Sequence, residues 1–232
     1  MVLEKTNRQI ALTILLIVLS LLFFQFTSAD IWIEDFFYNA QTHKWFLDKH
    51  EPFWKFIFYD GIKKALLLLG VAILLTLLFL RKKPLVQEYK KGLMIVLLAG
   101  IFVPVFIGSL KAVTNTPCPC DLKIYNGKYP DVKVFESYPE DFVQKSRIRC
   151  WPAGHASGGF ALMAFFFFFK TQTNRNRALV FGLVTGWSMG SYKMIIGDHF
   201  FSHTLMTMLF AWLIILIIAK FFKINSLLVD TR

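Results

Sequence analysis

Apolar residues along this chain fall in long blocks separated by polar stretches. Six blocks stand out: residues 10–29, 65–80, 93–110, 156–169, 178–189 (running on toward 197) and 203–219. Most approach the roughly 20 residues a helix needs to cross a hydrocarbon core of about 30 Å. Backbone N–H and C=O groups in lipid must bond within the protein, so six spanning helices are the simplest solution. The fourth and fifth blocks are short or carry glycines (Gly158, Gly159, Gly182, Gly186, Gly190). Small residues let helices approach closely in lipid, which assigns these two blocks to the bundle interior. The phenylalanine run at 165–169 reads as a lipid-facing or packing surface rather than a cofactor box. No fixed-period repeat and no low-complexity linker divides the chain, so one domain is expected over residues 1–232. The expected fold class is all-α: a polytopic membrane protein, a six-transmembrane-helix bundle. Lys5 and Arg8 before the first block and Thr27-Ser28-Ala29 after it imitate a cleavable signal peptide. A run of about 17 to 20 apolar residues is long for a signal-peptide core, so an uncleaved first helix is expected.

Composition supports this reading. Of 232 residues 56% are hydrophobic and 17% aromatic, and only 18% are charged, against roughly a quarter in soluble domains. Disorder, a soluble nucleic-acid binder and a small disulfide scaffold are excluded. The net charge of +11 is explained by placement. With the N-terminus in the cytoplasm, the inner segments 1–9, 81–92, 170–177 and 220–232 carry 13 Lys/Arg and three acids, Glu4, Glu88 and Asp230. The outer segments 30–64, 111–155 and 190–202 carry the other 13 Lys/Arg, in more than twice the length, with 12 of the 15 acids. This is the positive-inside pattern, and it places both termini in the cytoplasm. The inner loops can touch anionic headgroups, and no nucleic-acid partner is implied. Within 30–64, Trp32, Phe36, Phe37, Trp45, Phe53, Trp54 and Tyr59 alternate with charges, as in amphipathic helices lying in the headgroup region.

Candidate chemistry gathers at the outer ends of the blocks, in three clusters: Lys111 to Asp121, Arg147 to Gly159, and Ser191-Tyr192-Lys193 followed by Gly197-Asp198-His199 and Ser202-His203. Gly154 and His155 open the fourth helix, where free N–H groups and the dipole favour an anion. Lys111 and Lys193 add charge, and Arg147 and Arg149 can add bidentate phosphate contacts. His199 and His203, four residues apart, share a helix face, so one imidazole can orient the other. His155, from another helix, can protonate a leaving group. Cations, a helix start and two histidines in different roles fit phosphoryl transfer through a covalent phosphohistidine.

With these residues in place, the chain resembles the type 2 phosphatidic acid phosphatase superfamily, whose signatures are K-x6-R-P, P-S-G-H and S-R-x5-H-x3-D. Lys111 to Cys118-Pro119 has the first spacing and Pro152-Ala153-Gly154-His155 the second. Ser191, Lys193, His199 and His203 cover the third, with Tyr192 inserted after the serine. The match spans about residues 111–203. It implies a phosphatase/vanadium-haloperoxidase-like core, His199 as nucleophile, His155 as general acid, and phosphate binding by Lys111, the Gly154 amide and Lys193. It implies no metal or other cofactor and a phosphorylated membrane lipid as partner, with no obligate protein partner. Bacterial members imply an inner-membrane protein with its site facing the periplasm, acting on lipid A phosphates, undecaprenyl pyrophosphate or phosphatidylglycerophosphate.

The chain also departs from the signatures. Cys118 replaces an arginine, and losing one transition-state donor costs about 3–4 kcal/mol, roughly 10²–10³ in rate. Ala153 removes a hydroxyl, Lys193 keeps charge without the guanidinium fork, and His203 replaces the aspartate. All three cysteines, Cys118, Cys120 and Cys150, lie in one outer loop, where a periplasm permits disulfides. Pairing of Cys150 with Cys118 or Cys120 would bring Arg149 toward the missing arginine; spacing does not choose between the two. Three other functions stay open: a lipid-to-lipid phosphotransferase using the same intermediate, a metallohydrolase with His199, His203 and His155 as ligands, and a catalytically weak lipid-binding or transport protein. Chelator sensitivity separates the metallohydrolase; lipid binding without turnover marks the last.

Overall fold

The computed structural model describes residues 2–223, with side chains from Glu4; Met1 and residues 224–232, including the Asp230 and Arg232 counted above, lie outside it. Helices dominate. Helix α1 (Val2–Phe26) leads into the short α2 (Ala29–Glu34). Strands β1 (Tyr38–Asn39) and β2 (Lys44–Trp45) form a small antiparallel hairpin. Helix α3 (Pro52–Lys55) starts on a proline, whose missing N–H costs nothing at a helix start, and continues through a π turn (Phe56–Asp60) into α4 (Gly61–Phe79). Helix α5 covers Pro84–Val113. A long loop follows before α6 (Ser157–Ala161), which is wound as 3-10 helix on both sides, Gly154–Ala156 and Leu162–Phe167. Helices α7 (Gln172–Ile195) and α8 (Phe201–Phe221) are the last two among the described residues.

Helical structure therefore stands at all six expected blocks. Four of these helices are long and apolar enough to cross a membrane: Glu4–Phe26, Pro52–Phe79, Pro84–Val113 and Phe201–Phe221. The block beginning at Gly154 ends at Phe167, shorter than a spanning α-helix. Helix α7 has 24 residues but opens on the polar run Gln172-Thr-Asn-Arg.

The core lies where α5, α6 and α8 meet. Ile95, Ala99, Val103 and Ile107 repeat every four residues on α5, and Ala211, Ile215 and Ala219 do the same on α8; all are fully buried with Phe160. That spacing is one stripe of a helix. Helix α1 packs on α8, and α4 on α5. Their other faces leave Leu12, Leu15, Leu19, Leu67, Leu68 and Leu78 exposed, surfaces suited to hydrocarbon rather than water. Between α6 and α7 the glycines act as expected. A Cβ on Gly159 would stand 2.7 Å from Gly186 Cα, and one on Gly186 would stand 2.2 Å from the Phe160 ring.

The loop after α5 is held down by a disulfide between Cys118 and Cys150, 32 residues apart. Closing a loop of that size removes roughly 4 kcal/mol of unfolded-chain entropy. The segment at 30–64 folds over the same end of the bundle: Tyr38, Trp45 and Tyr125 pack with ring centroids 5.0–5.2 Å apart. The hairpin within it was not expected.

Candidate active site

Three pieces of backbone bring the chemistry together. Lys111 comes from the last turn of α5. Gly154 and His155 open the fourth helical segment. His199 is delivered by a turn after α7, where Gly197 has φ +76°. Its N–H bonds Met194 O, and the N–H groups of Asp198 and His199 both bond Lys193 O. A left-handed glycine after a helix is the usual way to close the last carbonyls and reverse the chain. Here a side chain is excluded twice over, since a Cβ on Gly197 would lie 2.3 Å from the Trp45 ring. Further bonds lock the pieces: Thr114 Oγ1 donates to Trp151 O at 2.6 Å, Ala153 N–H to His203 O at 3.1 Å, and Cys120 N–H to Gly197 O at 2.9 Å.

The centre of the site is a direct contact between two imidazoles, His155 Nδ1 and His199 Nε2, at 3.1 Å. His199 is 1% exposed. His155 is half-buried, lines the adjoining groove and stacks edge-on against Tyr59, ring centroids 5.0 Å apart. Lys111 lies against Gly154, its Nζ 3.9 Å from where a Cβ would be. An ammonium and a helix start thus share one point, where a phosphoryl oxygen would meet both. Lys193 is paired with Asp198 at 2.7 Å and stands 5.2 Å over the Tyr59 ring, so much of its charge is already answered.

Burial, with Lys111 and the neighbouring histidines, holds the His199 imidazole well below its usual pKa. A lowered pKa means the ring stays neutral as pH falls through the range where an ordinary histidine takes a proton, so a lone pair is present throughout neutrality. The imidazole carbon resonance assigned to His199 by its loss in His199→Ala is expected to hold its neutral position from pH 8 down to pH 6. A midpoint near 6.5 would contradict the burial argument.

Other residues are placed differently from expectation. His203 is 2% exposed and its ring is edge-on to His199, centroids 5.8 Å apart, but its Nδ1 has no hydrogen-bond partner. The atom facing His199 Nδ1 is instead Cys150 Sγ, at 3.3 Å. Arg147 turns away from the site and donates to the carbonyls of Val113 and Thr114, capping α5. The Arg149 side chain is exposed and lines no part of the groove, so the disulfide, which takes Cys118 and leaves Cys120 free, does not carry that guanidinium inward. Asp198 stood in the third cluster of the sequence without a role, and Tyr59 was read only as part of the interfacial segment, since nothing in its spacing ties it to the site.

For a metal, the one converging group among the described residues is Cys118, Cys150 and His199, with ligand atoms within 4.8 Å of one another. Its two sulfurs are already joined. His155, His199 and His203 do not form such a group: the first two face each other, and the third stands aside.

Paired imidazoles, a lysine at a helix start and a setting of apolar helices are the equipment of a membrane phosphatase. The PAP2 superfamily profile matches residues 92–226, more than half of the chain and all three motifs, and the chain belongs to that superfamily. Its members are mostly phosphatases acting on phosphate esters. No curated protein and no solved structure matches the chain.

Proposed function

We propose that this protein removes phosphate from a membrane lipid, a phosphomonoester or a pyrophosphate, through a phosphohistidine on His199. The observation that carries the lipid reading is a groove of about 900 Å³ that begins at Lys111, Gly154 and His155 and continues between α4, α5 and α6, walled by Leu67, Leu74, Leu97 and Ile101. A phosphate at the polar end leaves room for an apolar chain along the rest. Lys63 and Lys64 line the same groove, where a charged headgroup would lie.

The chemistry follows from the imidazole pair. For Nε2 of His199 to attack phosphorus, its proton must sit on Nδ1, and His155 Nδ1–H then donates to the Nε2 lone pair. An entering phosphoryl group replaces that bond. Nε2–P forms, the ester P–O breaks, and His155, which enters the step as an imidazolium beside the anionic phosphate, passes its Nδ1 proton to the leaving oxygen and becomes neutral. In the second half His155 takes a proton from water, which attacks the phosphohistidine and releases phosphate. Lys111 and the Gly154 amide hold the phosphoryl oxygens as charge develops.

Six crossings are consistent with the lengths. The 3-10 turns of Gly154–Phe167 rise about 2 Å per residue rather than 1.5 Å, so the segment reaches about 25 Å. Helix α7 reaches about 36 Å. The Lys/Arg pattern supports a site on the outer face with α2 and α3 at the headgroup level. The resemblance to bacterial members of the superfamily supports an inner membrane, a periplasmic site, and lipid A phosphates, undecaprenyl pyrophosphate or phosphatidylglycerophosphate as substrates.

Phosphate release by the purified protein in detergent, with chelator present, tests the reading across these lipids. Gly100 lines the groove and has nothing within 4 Å of a Cβ. Gly100→Leu is therefore expected to raise KM for a long-chain lipid phosphate by about tenfold, through lost chain contacts worth about 1.4 kcal/mol, and to leave a short-chain ester unchanged. Equal effects on both esters would mean that the groove holds no chain.

A further inference from the structure

We propose that Cys150 is the positioning residue behind the nucleophile, and that the oxidation state of the Cys118–Cys150 pair sets the activity of the site. The inference rests on the phosphohistidine reading above. A nucleophilic imidazole attacking through Nε2 needs an acceptor at Nδ1 to hold the proton there. His203, which stands where the signature has aspartate, makes no hydrogen bond to His199. Cys150 Sγ is the partner, at 3.3 Å from Nδ1, and the same sulfur lies 3.0 Å from the Asp198 carbonyl oxygen.

That second contact separates the two redox forms. A disulfide sulfur has no hydrogen to give Asp198 O and is a weak acceptor for Nδ1–H. A thiol at this position satisfies both neighbours: S–H donates to Asp198 O, and the sulfur accepts from Nδ1–H. Bonds in such a chain polarise one another, so the reduced pair holds the tautomer with its lone pair on Nε2. The conversion is a two-electron exchange. A dithiol reductant attacks the Cys118–Cys150 bond, its own sulfurs end as a disulfide, and two protons leave both cysteines as thiols. Lys111, Lys193, His155, His203 and Asp198 are the other ionisable groups around His199, and none of them faces Nδ1 in place of the sulfur.

The test compares Cys118→Ala with Cys150→Ala, each combined with Cys120→Ser so that no second disulfide forms. Both lose the cross-link equally, so any shared destabilisation cancels. Chelator is kept present, because the freed sulfurs and His199 would form a metal site. Dithiothreitol is expected to raise phosphate release by wild type about tenfold or more. Cys118→Ala is expected to be fast without reductant, Cys150→Ala slow with or without it, and Cys150→Ser to recover part of the loss, since a hydroxyl offers the same donor and acceptor. Neutralising the orienting acid of a Ser–His–Asp triad costs about 10⁴, which bounds the effect from above. Equal rates for Cys118→Ala and Cys150→Ala overturn the proposal, while turnover that is lost in His199→Ala leaves the phosphatase reading standing. If no form turns over any lipid, the phosphatase reading fails, and the 15N shifts of His199 still decide. A proton on Nδ1 in Cys118→Ala that moves to Nε2 in Cys150→Ala supports the positioning role; the same tautomer in both overturns it.

Discussion

Replacing His199 with alanine is expected to reduce phosphate release from every lipid substrate by about 10⁴ or more, the scale seen when a residue forming the covalent intermediate is removed. No neighbouring group can take over. His155 loses the His199 contact that orients its ring, and the His203 ring is turned edge-on with its Nδ1 unpartnered. Lys111 and the Gly154 amide remain, so lipid phosphate is still expected to bind with affinity changed by less than about threefold. Substrate binding in detergent beside the turnover assay checks this. Retention of a tenth of wild-type turnover would mean that water, not His199, attacks phosphorus.

His155→Ala is expected to show a loss that depends on the leaving group. A general acid contributes about 10²–10⁴, and most where the departing oxygen is most basic. A lipid alkoxide needs the proton, whereas p-nitrophenolate does not. Phosphoryl transfer to His199 from p-nitrophenyl phosphate is therefore expected to survive within about tenfold, while transfer from an alkyl lipid phosphate falls by 10² or more. Equal losses for both esters would make His155 a binding or packing residue. The direct contact between His155 Nδ1 and His199 Nε2 is the reason to expect the first outcome, since it places the donor on the line of attack.

Much of this architecture was legible in the sequence because hydropathy is a long-range signal. Four apolar blocks became helices long enough to cross a membrane, and the glycines of the fourth and fifth blocks marked a close contact. The 3-10 winding after Ala161 was not legible, since a run of phenylalanines has no helical or strand period. Nor was the hairpin at Tyr38–Asn39 and Lys44–Trp45, whose strands are too short to show alternation. At the candidate site, spacing singled out Lys111, Gly154, His155 and His199, which the fold brings together, because each motif is local in sequence. The cross-links between motifs were not local. Cys118 rather than Cys120 as partner of Cys150, Arg147 turned to cap α5, Lys193 paired with Asp198, and sulfur rather than imidazole behind His199 all depend on how the turn at Gly197 and the loop after α5 meet. Residue types in a motif do not encode that meeting.

Trapping the phosphohistidine on His199 tests the proposed mechanism most directly. His155→Ala supplied with radiolabelled p-nitrophenyl phosphate is expected to transfer phosphate to the protein and then stall, because the base that activates water is gone. An alkaline quench preserves a phosphoimidazole. About one label per chain is expected, acid-labile, on the peptide containing His199 and absent from the His155→Ala/His199→Ala double variant. Turnover of nitrophenol without any labelled protein, or label on a different peptide, would contradict it.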